Sequence, residues 1–202
     1  LGEAAALIED RFLRTYKNIR VSVTTGRLRT FPIFILGDVV RPGRYEISPR
    51  NDLVEILSMA GGPAERGSLR GVKVIRYDGS SRVVDFYPFL LHGERPPQID
   101  LGPGDIIFVP LIGAVVGVRG AVKRPGVYEM SGPTTLAEAI ALAGGLSASA
   151  DPGRIQIERR DVVEGRVLLD VRLPSAGGQS IQDLDVLTVQ SLPELKYYEV
   201  AV

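Results

Sequence analysis

The sequence has no cysteine, no tryptophan and a single histidine, His92, in 202 residues. Without cysteine the chain cannot form a disulfide, a cysteine-ligated zinc or iron–sulfur site, or a thiol nucleophile. A single histidine excludes the histidine clusters on which many metal and catalytic sites depend. His92 lies in a polar, proline-rich segment, and the chain has no Gly-x-Ser-x-Gly pattern, so we interpret His92 as a solvent-exposed loop residue. The sequence therefore predicts no catalytic residue, no cofactor and no enzymatic activity.

Nor is there an excess of one charge, because 24 Lys and Arg balance 24 Asp and Glu. A protein that coats nucleic acid normally has a basic excess, so nucleic acid is not expected as a partner. The longest strongly apolar stretch, residues 106–118, is interrupted by Pro110, Gly113 and Gly117, and it predicts no membrane span. The chain begins at Leu1 without an initiator methionine or a leader. We interpret it as a piece of a longer protein, with any signal or anchor outside it.

What the sequence does contain is an internal repeat. The composition is globular, with 45% hydrophobic and 24% charged residues. Shifting the sequence by 83 positions aligns residues 37–76 with residues 120–159 without a gap, and fourteen of these forty positions are identical. A second match, offset by 80, aligns residues 104–109 with residues 184–189. The chain therefore contains two copies of a module of about eighty residues.

Both copies predict the same order of elements. A β-rich run leads to Arg-Pro-Gly, which is typical of a type II turn, and a second strand follows. A short helix begins at a capping box, Asp52 to Glu55 in one copy and Thr135 to Glu138 in the other, and ends at a double glycine. A hairpin and a final strand preceded by an aspartate complete the copy. The repeated residues to which we assign a role in the fold are Gly37, Pro42, Gly43, Gly61, Gly62, Asp105, Gly120, Pro125, Gly126, Gly144, Gly145 and Asp185.

Two tandem modules, each with one short helix against a small mixed sheet, make an α+β arrangement and not a doubly wound nucleotide-binding fold. Residues 2–16 are predicted to form a preceding helix and residues 18–24 a half-buried strand. Residues 197–202 have the position of the lead-in strand of a third module. The predicted divisions are residues 1–30, residues 31–112 (module 1) and residues 113–202 (module 2), with residues 195–202 as the start of a truncated third module.

Four residues on the repeated turns are candidates for ligand binding. Arg41 and Arg124 occupy the same position in the two copies, and Tyr45 and Tyr128 follow them. Arginine can bind a sugar or a phosphate, and a tyrosine ring can stack on a sugar. The structural alternative is that each arginine is solvated or pairs with the glutamate five residues further on, while each tyrosine packs its ring and satisfies its hydroxyl locally.

Other charged residues give weaker indications. Asp105 and Asp185 could suggest a general acid–base pair or a calcium site, but each precedes a strand in a different copy, without a dense run of Asp, Asn and Gly. Capping of a turn explains them better, and no metal site is predicted. Residues 11–50 contain nine basic and two acidic residues, which would attract an anionic polysaccharide, face an acidic partner subunit, or simply be solvated. With 6% aromatic residues, a high-affinity lectin groove is not expected.

These patterns resemble a known family. They are similar to the pattern of the SLBB module, the soluble ligand-binding β-grasp domain. This pattern begins with Gly-x-Val-x-Arg-Pro-Gly-x-Tyr, continues with Leu-x-Glu and Ala-Gly-Gly, and ends with Gly-Asp-x-Ile-x-Val. Residues 37–109 and 120–189 carry this pattern, although Leu184-Asp185 replaces Gly-Asp in the second copy. Residues 6–23 resemble the end of the polysaccharide-export domain of bacterial capsule and exopolysaccharide exporters. The combined order resembles the outer-membrane polysaccharide export protein family.

The resemblance implies two β-grasp-like modules in a periplasmic or outer-membrane-associated protein of the bacterial cell envelope. It implies a non-enzymatic role in export, with polysaccharide as the cargo and with the SLBB modules building a conduit in a homo-oligomer of the full-length protein. It further implies an inner-membrane polysaccharide co-polymerase as a partner. The alternative is an envelope protein with several SLBB modules that binds a glycan or a protein ligand without forming a pore.

Overall fold

The computed structural model describes residues 2–16, 22, 29–161, 163 and 165–193. The predicted strand at residues 18–24, apart from residue 22, and the predicted lead-in strand at residues 197–202 lie outside the described residues. The helix predicted at residues 2–16 is present as α1 (Gly2–Thr15). Its apolar side chains Leu7, Phe12 and Leu13 are exposed, and Phe12 stacks on the ring of Tyr16.

Module 1 is built on a five-stranded mixed sheet with the strand order β2-β1-β5-β3-β4. β1 and β5 are parallel, and the other neighbouring strands are antiparallel. The predicted order of strand, strand, helix, hairpin and strand is confirmed. The elements are β1 (Phe31–Gly37), β2 (Gly43–Ile47), α2 (Leu53–Met59), β3 (Val72–Ile75), β4 (Ser81–Val84), α3 (Tyr87–His92) and β5 (Ile106–Val109).

Module 2 repeats this topology. Its main sheet has the order β10-β9-β12-β6-β7, which is the order of module 1 taken from the opposite edge, and β8 and β11 form a separate two-stranded sheet. The parallel pair is again in the same register, since Gly120 lies opposite Val189 as Gly37 lies opposite Val109. The elements are β6 (Val115–Gly120), β7 (Gly126–Glu129), β8 (Thr134–Thr135), α4 (Leu136–Leu142), β9 (Ala150–Asp161), β10 (Gly165–Val171), β11 (Ser180–Ile181) and β12 (Val186–Ser191).

The helices α2 and α4 each cover one face of their sheet, and both begin at the predicted capping box. In α2 the carboxylate of Asp52 accepts a hydrogen bond from the N–H of Glu55, and the carboxylate of Glu55 accepts one from the N–H of Asp52. The same reciprocal pair is present in α4. Apolar residues at helical spacing, such as Leu53, Ile56 and Leu57, are then buried against the sheet. Each module has its own hydrophobic core, and the two cores lie on either side of the predicted division at residue 112.

The helix α3 differs from the prediction that His92 lies in a loop. His92 is the last residue of α3, although it is exposed as expected. Pro88 stands in the first turn of α3, and Gly93 follows the helix with a φ angle of 72°. Proline is common in the first turn of a helix, and glycine is common just after its last residue. This proline-rich segment therefore favours a short helix. Module 1 therefore has two helices, where the sequence predicts one, and α3 lies outside the predicted order of elements.

The type II turns predicted at the two Pro-Gly pairs are wrong. A type II turn requires its glycine to have φ near +80°. Gly43 instead has a φ of 159°, which is extended, and Gly126 does not have a positive φ. The reason is strand pairing, because Gly43 lies opposite Ile35 and Gly126 lies opposite Val118 in antiparallel ladders. Each glycine is the first residue of its strand.

Gly37 and Gly120 allow β1 and β6 to pass close to the closing strands. A Cβ atom on Gly120 would lie 2.1 Å from the main-chain oxygen of Val189, and one on Gly37 would lie 2.0 Å from that of Val109. Both glycines also have φ angles near +85°, at 88° and 84°. These positions therefore exclude a side chain for two reasons, backbone conformation and lack of space.

The variants Gly120→Ala and Gly145→Ala separate those two reasons. Gly145 has a φ of 90°, but a Cβ there would have no atom within 4 Å. We expect Gly145→Ala to lower the free energy of unfolding by about 1–2 kcal/mol through backbone strain alone. Gly120→Ala should cost a further 1–3 kcal/mol, roughly, from the clash. Urea denaturation followed by circular dichroism measures both, and equal losses would contradict the close approach.

Leu184 stands where module 1 has Gly104, and it retains the glycine conformation. Its φ is 64°, against 85° for Gly104, and it is the single non-glycine residue with a positive φ among the residues that the structure describes. Its side chain is 57% exposed, so burial offsets little of the strain. The left-handed conformation costs a non-glycine residue about 1–2 kcal/mol.

We expect Leu184→Gly to raise the free energy of unfolding by about 1 kcal/mol, after the greater freedom of glycine in the unfolded chain is subtracted. Leu184→Ala is the matched control, since alanine removes the side chain and keeps the strain. A shift in the thermal midpoint for glycine and none for alanine is the expected pattern. The same shift for both would assign the effect to the exposed leucine side chain.

Candidate functional site at the junction of the two modules

The repeated turn of module 1 is held by its own arginine and tyrosine. The Tyr45 hydroxyl donates a hydrogen bond to the main-chain oxygen of Arg41 at 2.6 Å. The N–H of Arg41 donates to the oxygen of Ala60, and its guanidinium donates to the oxygen of Met59, both at 2.9 Å. Arg41 thus satisfies carbonyl groups at the C-terminal end of α2, where a helix leaves them without internal partners.

The turn of module 2 repeats the main-chain part of this arrangement. The hydroxyl of Tyr128 donates to the oxygen of Arg124, whose N–H donates to Ala143 at 2.9 Å. The guanidinium of Arg124 differs, because it lies 3.5 Å from the main-chain oxygen of Leu91 in module 1. Both tyrosine hydroxyls are therefore used inside the fold, and the two Arg–Tyr pairs lie in different modules. Ligand binding by Arg41, Tyr45, Arg124 and Tyr128 stays a prediction.

The interpretation that these arginines pair with the glutamate five residues further on is wrong in both modules. Glu46 pairs with Arg44 at 2.7 Å on the exposed edge of the sheet. Glu129, at the same position of the repeat, is only 5% exposed and is bound by other groups. The two glutamates occupy the same position of the repeat, but Glu46 is exposed and Glu129 is buried.

Glu129 inserts its carboxylate between the modules. One oxygen accepts hydrogen bonds from the Ser68 hydroxyl at 2.7 Å and from the N–H of Gly113 at 2.9 Å. The other accepts one from the N–H of Leu69 at 3.2 Å. Three donors thus compensate the desolvation of a buried carboxylate. Two of these donors belong to module 1, so the side chain joins the two units.

The main chain of Glu129 is also bound by module 1. Its oxygen accepts a hydrogen bond from the guanidinium of Arg70 at 3.0 Å, and its N–H donates to the hydroxyl oxygen of Tyr87 at 2.7 Å. Arg70 is itself oriented by two hydrogen bonds to Asp85, at 2.9 and 3.1 Å, and lies 4.5 Å above the Tyr87 ring. Burial raises the pKa of the Tyr87 hydroxyl, which therefore stays neutral at physiological pH.

An apolar contact accompanies this polar cluster. Tyr87 and Leu91 of α3 pack against the hydrophobic core of module 2. α3 has room because the connection between β4 and β5 has 21 residues, 85–105, whereas the connection between β10 and β12 has 14, 172–185. The extra segment of module 1 thus adds an apolar contact with module 2 to the hydrogen bonds made by Ser68, Leu69 and Arg70.

Asp105 and Asp185 hold the entry to the closing strands. The Asp105 carboxylate accepts hydrogen bonds from the N–H groups of Gly102 and Tyr77, at 2.8 and 3.0 Å. Asp185 is fully buried. Its carboxylate accepts a hydrogen bond from the N–H of Gln182 at 2.8 Å and forms an ion pair with Arg159 at 2.6 Å. The hydrogen bonds that Arg159 donates to Asp185 raise the pKa of its guanidinium. In this arrangement both aspartates orient main chain within a single module.

Sequence reasoning missed the junction residues Ser68, Arg70, Asp85 and Tyr87. None of them is repeated in the second copy, which has Asp151, Gly153, Arg172 and Pro174 at the corresponding places. The available signal was this departure from the repeat, since residues that differ between copies must serve something other than the shared fold. Arg76 and Arg159 are identical residues at one position of the repeat, and the sequence alone assigns them no role. In the structure Arg76 pairs with Asp105, and Arg159 pairs with Asp185.

Among the described residues, no group of three or more His, Asp or Glu side chains is placed to hold a metal ion. In the same part of the chain, every buried side-chain nitrogen or oxygen has a hydrogen-bond partner. No described helix has the length and apolar character needed to cross a membrane. The hydrogen bonds of Glu129 fix the position of module 2 relative to module 1.

Comparison with known proteins identifies the repeated unit. The profile of the SLBB domain matches the chain twice, at residues 32–85 and 115–169. A protein of Ralstonia solanacearum named EPS I polysaccharide export outer membrane protein EpsA is 36% identical over 153 residues. The protein of the same name from Ralstonia nicotianae is 32% identical over 152 residues. Each match covers 73% of this chain and 40% of the relative, so the chain spans about two fifths of their length. The predicted resemblance is confirmed.

The variant Glu129→Ala tests the junction, with Glu46→Ala as the control at the same position of the repeat. Glu129→Ala leaves the hydroxyl of Ser68 and two N–H groups without an acceptor, which should cost roughly 2–4 kcal/mol of unfolding free energy. Glu46→Ala removes one exposed ion pair and should cost less than about 1 kcal/mol. Urea denaturation gives the energies, and NMR relaxation should show the two modules tumbling more independently only in Glu129→Ala. Equal effects of the two substitutions would contradict a special role for Glu129.

Proposed function

Because the chain belongs to the SLBB domain family, we propose that it is the tandem SLBB part of a protein that exports polysaccharide through the bacterial cell envelope. The relatives named as outer membrane export proteins support this proposal. The proposed location is the periplasmic side of the outer membrane. The proposed role is not enzymatic: the modules form part of the wall of a conduit built by several copies of the full-length protein.

The observation that carries this proposal is the buried Glu129 junction. A wall made of repeated subunits needs parts whose spacing does not vary, because small errors in each subunit would prevent the ring from closing. A flexible linker between two independent domains would not supply this. Here the carboxylate, the N–H and the carbonyl of Glu129 are all bound across the junction or at its edge. The pair of modules therefore behaves as one block.

The edges of the sheets provide surfaces through which such blocks can associate. β2 and β4 are the edge strands of module 1, and β7 and β10 are those of module 2. An unpaired edge presents free N–H and C=O groups to another chain. β10 has seven residues and includes Leu168, whose side chain is 61% exposed. We propose contacts of this kind between subunits, together with contacts to an inner-membrane co-polymerase made by other parts of the full-length protein.

A second candidate is an envelope protein with more SLBB modules that binds a glycan or a protein without forming a pore. One observation favours it. The chain leaves module 1 through a hydrogen bond from the N–H of Ile112 to the oxygen of Arg66, at 2.7 Å. It leaves module 2 through the corresponding hydrogen bond, from Leu192 to Ser149, at 2.8 Å. Further modules could be attached in the same way.

Deletion of the gene in its source organism tests the export function. We expect extracellular polysaccharide to fall to background while its cytoplasmic precursors are still made, and we expect the intact gene to restore secretion. The Glu129→Ala gene should restore it poorly and the Glu46→Ala gene fully. Unchanged secretion after deletion would refute the proposal.

Light scattering of the purified full-length protein separates the two candidates, because the conduit requires a ring-sized homo-oligomer and a strict monomer would favour the second.

A further inference from the structure

The same corner of the sheet is built differently in the two modules. In module 1 the first residue pair of the hairpin is Val72 opposite Val84, and in module 2 it is Ile155 opposite Val171. We define the corner as the residues that flank this pair. In module 1 it contains the ion pair between Arg70 and Asp85.

Module 2 covers the corner of module 1 through the main chain and carboxylate of Glu129. The corner of module 2 lacks what would be needed to receive a glutamate in that way. Gly153 replaces Arg70, so the guanidinium that binds the main-chain oxygen is missing, and Pro152 replaces Leu69, so the N–H donor is missing. Asp151 replaces Ser68, so the hydroxyl that donates a hydrogen bond to the carboxylate is missing as well. This corner is therefore not a second copy of the junction.

Two arginines occupy the corner of module 2 instead. Arg154 precedes Ile155, and Arg172 follows Val171, where module 1 has Gly71 and Asp85. Both side chains are exposed, and neither has an ion pair among the described residues. Because module 1 forms the same hairpin without them, the fold does not require these two charges.

The arginines line a groove of about 340 Å³, within the range of roughly 300–1,000 Å³ typical of small-molecule sites. Gln156, Asp170 and Gln190 complete its polar lining. Gln156 donates a hydrogen bond from its amide nitrogen to one carboxylate oxygen of Asp170 at 3.0 Å. The amide oxygen of Gln156 and the second oxygen of Asp170 therefore remain as acceptors.

The two arginines of the groove lining can bind an acidic group of a ligand. Arg154 and Arg172 carry two positive charges, and Asp170 carries one negative charge. Asp151 lies just outside the lining, and one of its oxygens accepts a hydrogen bond from the N–H of Gly153 at 2.9 Å. Guanidinium groups suit a carboxylate geometrically, and the remaining amide and carboxylate oxygens suit hydroxyl donors. A carboxylate next to several hydroxyls is the chemistry of a uronic acid.

We propose that this groove, between Arg154 and Arg172 at the open corner of module 2, binds a uronic acid unit of an acidic polysaccharide. The proposal rests on the export function and adds the chemical class of the cargo and its contact point. The arginines bind the carboxylate, and Gln156 and Asp170 accept hydrogen bonds from sugar hydroxyls. Binding at an open groove by a few exposed groups is weak and reversible, which is compatible with a polymer that must move on.

The test uses the 202-residue chain and a tri-galacturonate, with its methyl ester and inorganic phosphate as comparison ligands. Dissociation constants are measured by NMR titration. We expect the tri-galacturonate to bind, and the double variant Arg154→Ala/Arg172→Ala to weaken binding at least tenfold. The matched control is Arg50→Ala/Arg95→Ala, which removes the same charge from a groove of module 1, where both arginines are exposed and neither forms an ion pair within the described part of the chain. It should change binding less than twofold.

Other outcomes overturn the proposal. An equal loss in both double variants would mean general electrostatic attraction and no site. Equal binding of the methyl ester would remove the role of the carboxylate, and displacement by phosphate at the same concentration would reduce the groove to an unspecific anion site. Absence of binding would also refute it. The titration and the gene deletion measure different properties. Loss of the groove proposal therefore leaves the export function intact, and unchanged secretion after deletion leaves the measured binding at the groove intact.

Discussion

A buried carboxylate between two domains has to be fully compensated, and this requirement organises the junction of the two modules. Glu129 is bound at its side chain and its main chain, and most of the partners are in the other module. Removing any of them would leave a charged or polar group in a low-dielectric environment. The consequence is that the two modules cannot reorient without breaking several hydrogen bonds together. The block formed in this way is the structural basis of the proposed wall of a conduit.

Duplication supplied the parts of this junction, and divergence made it specific. Glu46 and Glu129 occupy one position of the repeat, yet Glu46 is exposed and paired with Arg44. The difference comes from the neighbours, since module 1 offers α3 and Arg70 to Glu129. The shared fold is maintained elsewhere, by the close approach at Gly37 and its counterpart in module 2, and by the aspartates before the closing strands.

The two corners of the hairpins show the same principle with opposite results. In module 1 the corner is neutralised by an Arg–Asp ion pair and covered by the next module. In module 2 it is open and holds two arginines that the fold does not need. One corner thus serves assembly within the chain, and we infer that the other serves contact with the cargo. A repeat protein can acquire both functions without altering its cores, because these charged residues lie outside the two hydrophobic cores.

The sequence by itself determined the duplication, the order of the elements, the capped helices α2 and α4, and the family. These features depend on residues close together in the chain or on direct comparison of two copies. Only the tertiary structure decided what Glu129 binds, since Ser68 and Leu69 are 61 and 60 positions away from it. The turn type at Gly43 likewise followed from its pairing with Ile35, and strand pairing overrides the local preference of Pro-Gly. Contacts between modules bring together residues whose types carry no mutual pattern, so sequence spacing cannot reveal them.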